Sequence, residues 1–238
     1  MTHGGVVVIR VEGLRAEQGG FTLRATFDVP RGRRVAVAGP SGAGKSTLLG
    51  ALGGYTPIEA GKVYVDGVDV TAAAPDARGI AMLFQDGNLL PHLSVAQNVG
   101  LGVRPALRLS ATERERVRDA LGRVGLGDFA DRKPGALSGG QHSRVALARV
   151  LLQRAPVLLL DEPFAALGPA LRAEMLALSS EVVTESGATL MMVTHAPAEV
   201  AGLVDDLIFV DAGDVAPPAP VDDVLANPPE ALRAYLGG

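Results

Sequence analysis

Short apolar runs separated by glycine-rich and charged punctuation recur along the chain, and their spacing predicts alternating strands and helices. Residues 6–11 alternate weakly and read as an edge strand; residues 21–29 alternate clearly, as an amphipathic strand does. Residues 35–38 form a short apolar run ending at Gly39-Pro40, the pattern of a buried parallel strand. Helical character follows over 46–52, then a strand over 63–65 closed by the turn Asp66-Gly67, and a buried strand over 80–84.

The texture changes after Gln85. Residues 86–135 lose the strand pattern and look helical. Ser110-Ala111-Thr112-Glu113 is a capping box opening a charged helix to Val124. Beyond this insertion come a helix over 138–153, a strand over 157–160, a helix over 169–184, and strands over 189–193 and 207–210. Alternation of this kind predicts a mostly parallel sheet covered by helices. The proline-rich residues 217–220 and a short helical piece close the chain, leaving no expected room for a regulatory domain.

Composition narrows the reading. At 238 residues the chain suits one α/β domain with a substantial core. Its 47% hydrophobic content and mean hydropathy of +0.25 are apolar for a soluble protein. No apolar stretch reaches the ~18 residues of a membrane-spanning helix, so insertion is not expected, although apolar docking is. Residues 1–10 lack the pattern of an export signal, and the absence of cysteine excludes disulfides and thiolate metal sites. Both point to the cytosol. A net charge of -4 argues against a nucleic-acid surface.

Three segments carry chemistry. Gly39-Pro40-Ser41-Gly42-Ala43-Gly44-Lys45-Ser46-Thr47 fits G-x-x-x-x-G-K-[ST] between a predicted strand and a predicted helix. Its glycines let the backbone wrap phosphate at a helix N-terminus. Lys45 would neutralise the β/γ-phosphates, and the Ser46 hydroxyl would ligate Mg²⁺. Residues 157–160 are apolar and run into Asp161 and Glu162. Asp161, at a strand end, is placed to organise Mg²⁺, and Glu162 to polarise a water for attack on the γ-phosphate. Leu137-Ser138-Gly139-Gly140-Gln141 reads as an N-cap before a helix or as a second anion-binding helix start. Two such starts in one chain suggest a nucleotide sandwiched between two protomers.

With these motifs in this order, the chain resembles an ATP-binding-cassette (ABC) transporter ATPase. Residues 39–47 match that family's Walker A, Gln85 its Q-loop and 137–141 its signature. Residues 157–162 match Walker B, 165–168 the D-loop, and His195 the switch histidine. The resemblance implies a P-loop NTPase core with N-terminal antiparallel strands and a helical subdomain at 86–135, inserted in a single ABC ATPase domain spanning 1–238. It implies a head-to-tail dimer in which each ATP is held by one subunit's Gly39, Pro40, Ser41, Gly42, Ala43, Gly44, Lys45, Ser46, Thr47 and Gln85, and by the other's Ser138, Gly139, Gly140 and Gln141. Glu162 would be the general base, His195 the γ-phosphate sensor, and Ser46, Gln85 and Asp161 the Mg²⁺ ligands. Without it, Gln85 and His195 would pass as surface and structural residues; His3, His92 and His142 keep that plainer reading.

The match has departures. Gly168 stands where the family usually has an Asp connecting the two sites, which predicts weaker cooperativity. The aromatic that stacks on adenine lacks a clear counterpart: Phe21 is nearest, and it reads as core. His142-Ser143 replaces a more usual basic-polar pair, with no derivable consequence.

Residues 82–102 resemble bacterial importer subunits, and the Ala-Gln-Asn-Val-Gly-Leu-Gly portion at 96–102 is similar to thiamine-import ATP-binding subunits. That resemblance implies a peripheral subunit on the cytoplasmic face of the inner membrane, bound to integral permease subunits and served indirectly by a periplasmic or extracellular solute-binding protein. The cargo would be thiamine or its phosphates, or alternatively a polyamine, metal or oxyanion. A soluble, non-transport ABC ATPase is the rival of a different class, disfavoured by the single cassette, the lack of heptads and the acidic charge. A P-loop kinase would leave residues 137–141 without a role.

Overall fold

The computed structural model describes residues 6–85, 87–165 and 167–235. His3, named above, and Asp86 and Ala166, within the segments 86–135 and 165–168, lie outside the described residues. The chain runs through β1 (Val7–Gln18), β2 (Phe21–Pro30), β3 (Arg34–Ala38), α1 (Lys45–Gly53), β4 (Ala60–Val65), β5 (Val68–Asp69) and β6 (Ile80–Leu83). Next come α2 (Val95–Gly100), α3 (Ala111–Arg123), α4 (Gly139–Leu152), β7 (Val157–Asp161), α5 (Pro169–Ser186) and β8 (Thr189–Val193). The remainder is α6 (Pro197–Val200), β9 (Asp206–Asp211), β10 (Asp214–Val215), β11 (Ala219–Pro220), α7 (Val221–Ala226) and α8 (Glu230–Tyr235). These elements cluster into two compact units, 1–80 with 155–161 and 187–238, and 81–154 with 162–186.

The first unit is built on a sheet in the order β5-β4-β1-β2-β10-β9-β3-β8-β7, with β11 against β9. Its amino-terminal part is antiparallel, β4 and β2 flanking β1, whereas β9, β3, β8 and β7 run parallel. Every residue of β7 and β8 is buried, as strands covered on both faces must be. The edge strand expected over 6–11 is therefore an inner strand of 12 residues. Its pairing shifts register between Val11 and Leu14, where the Gly13 N–H donates to Thr26 Oγ1 at 3.0 Å. That bulge breaks the period of two, so the alternating pattern stops at Val11 although the strand continues. Paired charges fix the start of the central strands: Arg33 donates to Asp206 at 2.6 Å and Arg34 to Asp205 at 2.8 Å.

The second unit packs α2, α3 and α4 around Val95, Val99, Val117, Leu121, Val145 and Ala148. Each larger aliphatic side chain buried there contributes roughly 1.5–3 kcal/mol. These three helices begin alike, with capping boxes at Ser94/Gln97, Ser110/Glu113 and Ser138/Gln141. At the second of these, the Ser110 backbone N–H and the Arg104 guanidinium hold the Glu113 carboxyl down at about 2. Asn98, fully buried, exchanges hydrogen bonds with the Leu90 N–H (2.8 Å) and carbonyl (3.1 Å), pinning the loop ahead of α2.

Candidate functional site

The phosphate loop follows from where β3 stops. Gly44 precedes α1 with φ +107, a conformation that L side chains rarely adopt, and a Cβ there would lie 2.8 Å from both Leu23 and Phe21. Glycine thus lets the loop turn tightly into the helix against β2. Phe21, read from sequence as core, is half-buried and backs this turn. Gly44, at the N-cap of α1, has no side chain to cap it, so the helix start carries its positive dipole end without a capping oxygen. Lys45 is only 5% exposed, and its ammonium donates to the carbonyls of Gly39 (2.8 Å) and Pro40 (2.9 Å).

Strand register assembles the rest of this half of the site. Val37 of β3 pairs with Val193 of β8, and Val193 with Asp161 of β7. Three chain segments accordingly leave the sheet from one row: the phosphate loop after β3, Asp161 at the end of β7, and Thr194-His195 after β8. Ligands of open α/β sheets bind outside such carboxyl ends. The Ser46 hydroxyl donates to Asp161 Oδ1 at 3.1 Å, with Asp161 8% exposed. These hard oxygens, brought together beside a phosphate cradle, fit magnesium, which binds through one or two protein oxygens plus phosphates. The His195 ring is on an exposed residue, while its backbone carbonyl accepts from the Tyr235 hydroxyl at 2.9 Å. Leu232, fully buried, seats α8 for that contact.

The remaining candidates lie in the second unit. Ser138, exposed, caps α4: its hydroxyl accepts from the Gln141 N–H at 3.3 Å, and its own N–H donates to Gln141 Oε1 at 2.8 Å. Gly140 packs so closely that a Cβ would sit 3.1 Å from Leu171. Gln85 is exposed in the turn after β6, closed by the Gly87 N–H donating to the Phe84 carbonyl at 2.9 Å. Arg149 of α4 then donates to the Gly87 and Asn88 carbonyls, each at 2.8 Å. Glu162 sits directly after Asp161 with φ +46, a conformation uncommon outside glycine and typical of functional turns. His142 Nε2 donates to the Pro134 carbonyl at 2.7 Å, in keeping with its structural reading.

Sequence reasoning missed Gln141 as the reciprocal half of a capping box, although the Ser-x-x-Gln spacing carries that signal. Arg149 and Tyr235 carry no local signal at all, because each acts on backbone about 40 or more residues away in sequence.

A lysine-bearing phosphate loop in register with an acid-tipped parallel strand defines a P-loop nucleoside triphosphatase. Comparison with known proteins narrows the class. The ABC transporter family pattern matches residues 23–165. The thiamine import ATP-binding protein ThiQ of Ruegeria sp. (strain TM1040) is 54% identical over 97% of this chain and 100% of its own length. That of Cereibacter sphaeroides is 51% identical, with 97% and 100% covered. Among solved structures, a dimeric ATP-binding cassette in a post-hydrolysis state bound to ADP and phosphate superposes with a TM-score of 0.79. It is 29% identical, over 90% of this chain and 98% of that one. This chain belongs to the ABC transporter family, as an ATP-hydrolysing cassette. Among the described residues, no helix is long and apolar enough to cross a membrane.

Proposed function

We propose that the chain is the ATP-hydrolysing subunit of a bacterial thiamine importer, peripheral to the cytoplasmic face of the membrane and bound to integral permease subunits. A solute-binding protein outside the membrane delivers the cargo, thiamine or its phosphates, to that permease. The reading rests above all on near-full-length identity of 54% to a thiamine import protein. The whole chain works as one ATPase domain, with residues 86–135 as its helical subdomain.

Two copies close head to tail on ATP. Residues 39–47 of one copy wrap the phosphates, Lys45 neutralises β- and γ-phosphate charge, and Ser138, Gly139, Gly140 and Gln141 of the other copy meet the γ-phosphate. Ser46, Asp161 and Gln85 hold Mg²⁺, which supplies neutralisation of the charge that builds on the phosphate oxygens. Glu162 accepts the proton of the attacking water as the bond between the β,γ-bridging oxygen and the γ-phosphorus breaks. His195 senses the γ-phosphate. Loss of that phosphate removes the bridge and reopens the dimer, and the Gln85 turn carries the change to the permease.

Uptake of labelled thiamine by the complex reconstituted with its permease and binding protein tests the reading. Uptake that needs ATP and competes with unlabelled thiamine is expected. ATP-driven uptake of a polyamine, metal or oxyanion instead would overturn the cargo, and co-purification with nucleic acid rather than a membrane protein would overturn transport.

A further inference from the structure

Arg78 stands in no motif, yet it is one of few charged side chains buried in the structure, at 5% exposure. Among the described residues no carboxylate pairs with it, and burial lowers its pKa. Four backbone carbonyls hold its guanidinium instead. Nη1 donates to Ala51 (2.8 Å) and Leu52 (3.0 Å), Nη2 to Thr71 (2.9 Å) and Nε to Ala73 (2.9 Å). Ala51 and Leu52 are in the last turn of α1, the helix whose first turn completes the phosphate loop. Carbonyls of a last turn lack the i+4 donor of the helix interior and mark the negative end of its dipole; that of Ala51 otherwise accepts only a long bond, 3.4 Å, from the Gly54 N–H that ends α1. α1 has no basic residue of its own in that turn. The fit is close: Gly54, which ends α1 at φ +84, could not carry a Cβ without placing it 2.5 Å from Arg78 Nε.

We infer that Arg78 is a positioning residue for nucleotide binding, clamping the far end of α1 so that the helix start stays aimed at the phosphates. This rests on the phosphate-loop reading proposed above. α1 is nine residues long, about 13 Å at 1.5 Å per residue, so a tilt of a few degrees about its carboxyl end moves the loop by ~1 Å. Misplacement on that scale weakens a preorganised site by about ten- to a hundredfold. The loop grips phosphate in ground and transition states alike, so the loss appears in KM and leaves kcat in place. Lysine cannot substitute, because its donors radiate from one point and do not form a planar fork.

Arg78→Lys should raise the Kd for ATP and the KM about tenfold or more, with kcat within about twofold of the parent. Gly54→Ala presses on the same guanidinium without removing it and should move KM in the same direction. A purely structural arginine would lower the unfolding midpoint of both variants and leave their KM unchanged. Parental KM in whichever variant folds overturns the inference. Lys45→Ala, run alongside, separates the two levels. If it binds ATP like the parent, the phosphate-loop reading itself fails; if it loses ATP while Arg78→Lys and Gly54→Ala keep it, only the role of Arg78 falls.

Discussion

Two helix starts in this chain present backbone N–H groups, and they are built oppositely. α1 opens after a left-handed glycine, with no side-chain cap and a buried lysine at its first position. α4 opens on Ser138, whose hydroxyl and partner Gln141 already satisfy each other's N–H groups. The first is open to a tightly held anion. The second satisfies two of its own N–H groups, as the matching boxes on α2 and α3 do. A helix start that caps itself in part strands fewer donors when phosphate leaves, which would suit the reopening proposed above.

Glu162→Gln isolates binding from chemistry, so the contrast can be titrated without turnover. ATP hydrolysis is expected to fall by about 10²–10⁴-fold while ATP binding and ATP-dependent dimerisation persist, as size-exclusion chromatography with nucleotide would record. Parental turnover would remove Glu162 from its role. Lys45→Ala strikes the open start. Removing a charge-assisted contact of about 3 kcal/mol lowers ATP affinity about a hundredfold, measurable by calorimetry.

The self-capped start should respond differently. Ser138→Ala is expected to cost about 1 kcal/mol of stability and shift the unfolding midpoint by roughly 2–4 °C. It should also slow hydrolysis while leaving ATP binding to the monomer intact. Ser138→Thr keeps a capping hydroxyl and should restore the midpoint. If Ser138→Ala instead weakens monomer binding as Lys45→Ala does, the two starts are not distinct. The smallest effect is expected at Gly168, where an added Cβ would meet nothing within 4 Å. Gly168→Asp should fold normally and raise the Hill coefficient for ATP hydrolysis; an unchanged coefficient removes the coupling role of that position.

The open start was legible in sequence because its chemistry is local: nine consecutive residues carry the loop, the lysine and the Ser46 hydroxyl. The parallel strands were legible too, since burial on both faces writes an uninterrupted apolar run such as 157–160. What stayed hidden depends on partners distant in sequence. β1 looked like a short edge because its bulge hides the continuation past Val11. Phe21 alternates like a core residue, and nothing local in the sequence shows that it backs the Gly44 turn. Arg78 sits among small and polar residues with no pattern around it, and the carbonyls it caps on α1 are 26 and 27 residues away.

The hydrogen bond from Tyr235 to the His195 carbonyl has a practical reading for anyone handling the protein. The His195 segment is moored to α8, so a purification tag or fluorescent fusion placed after α8 is expected to disturb that mooring, and turnover compared between amino- and carboxyl-terminal labels would show it.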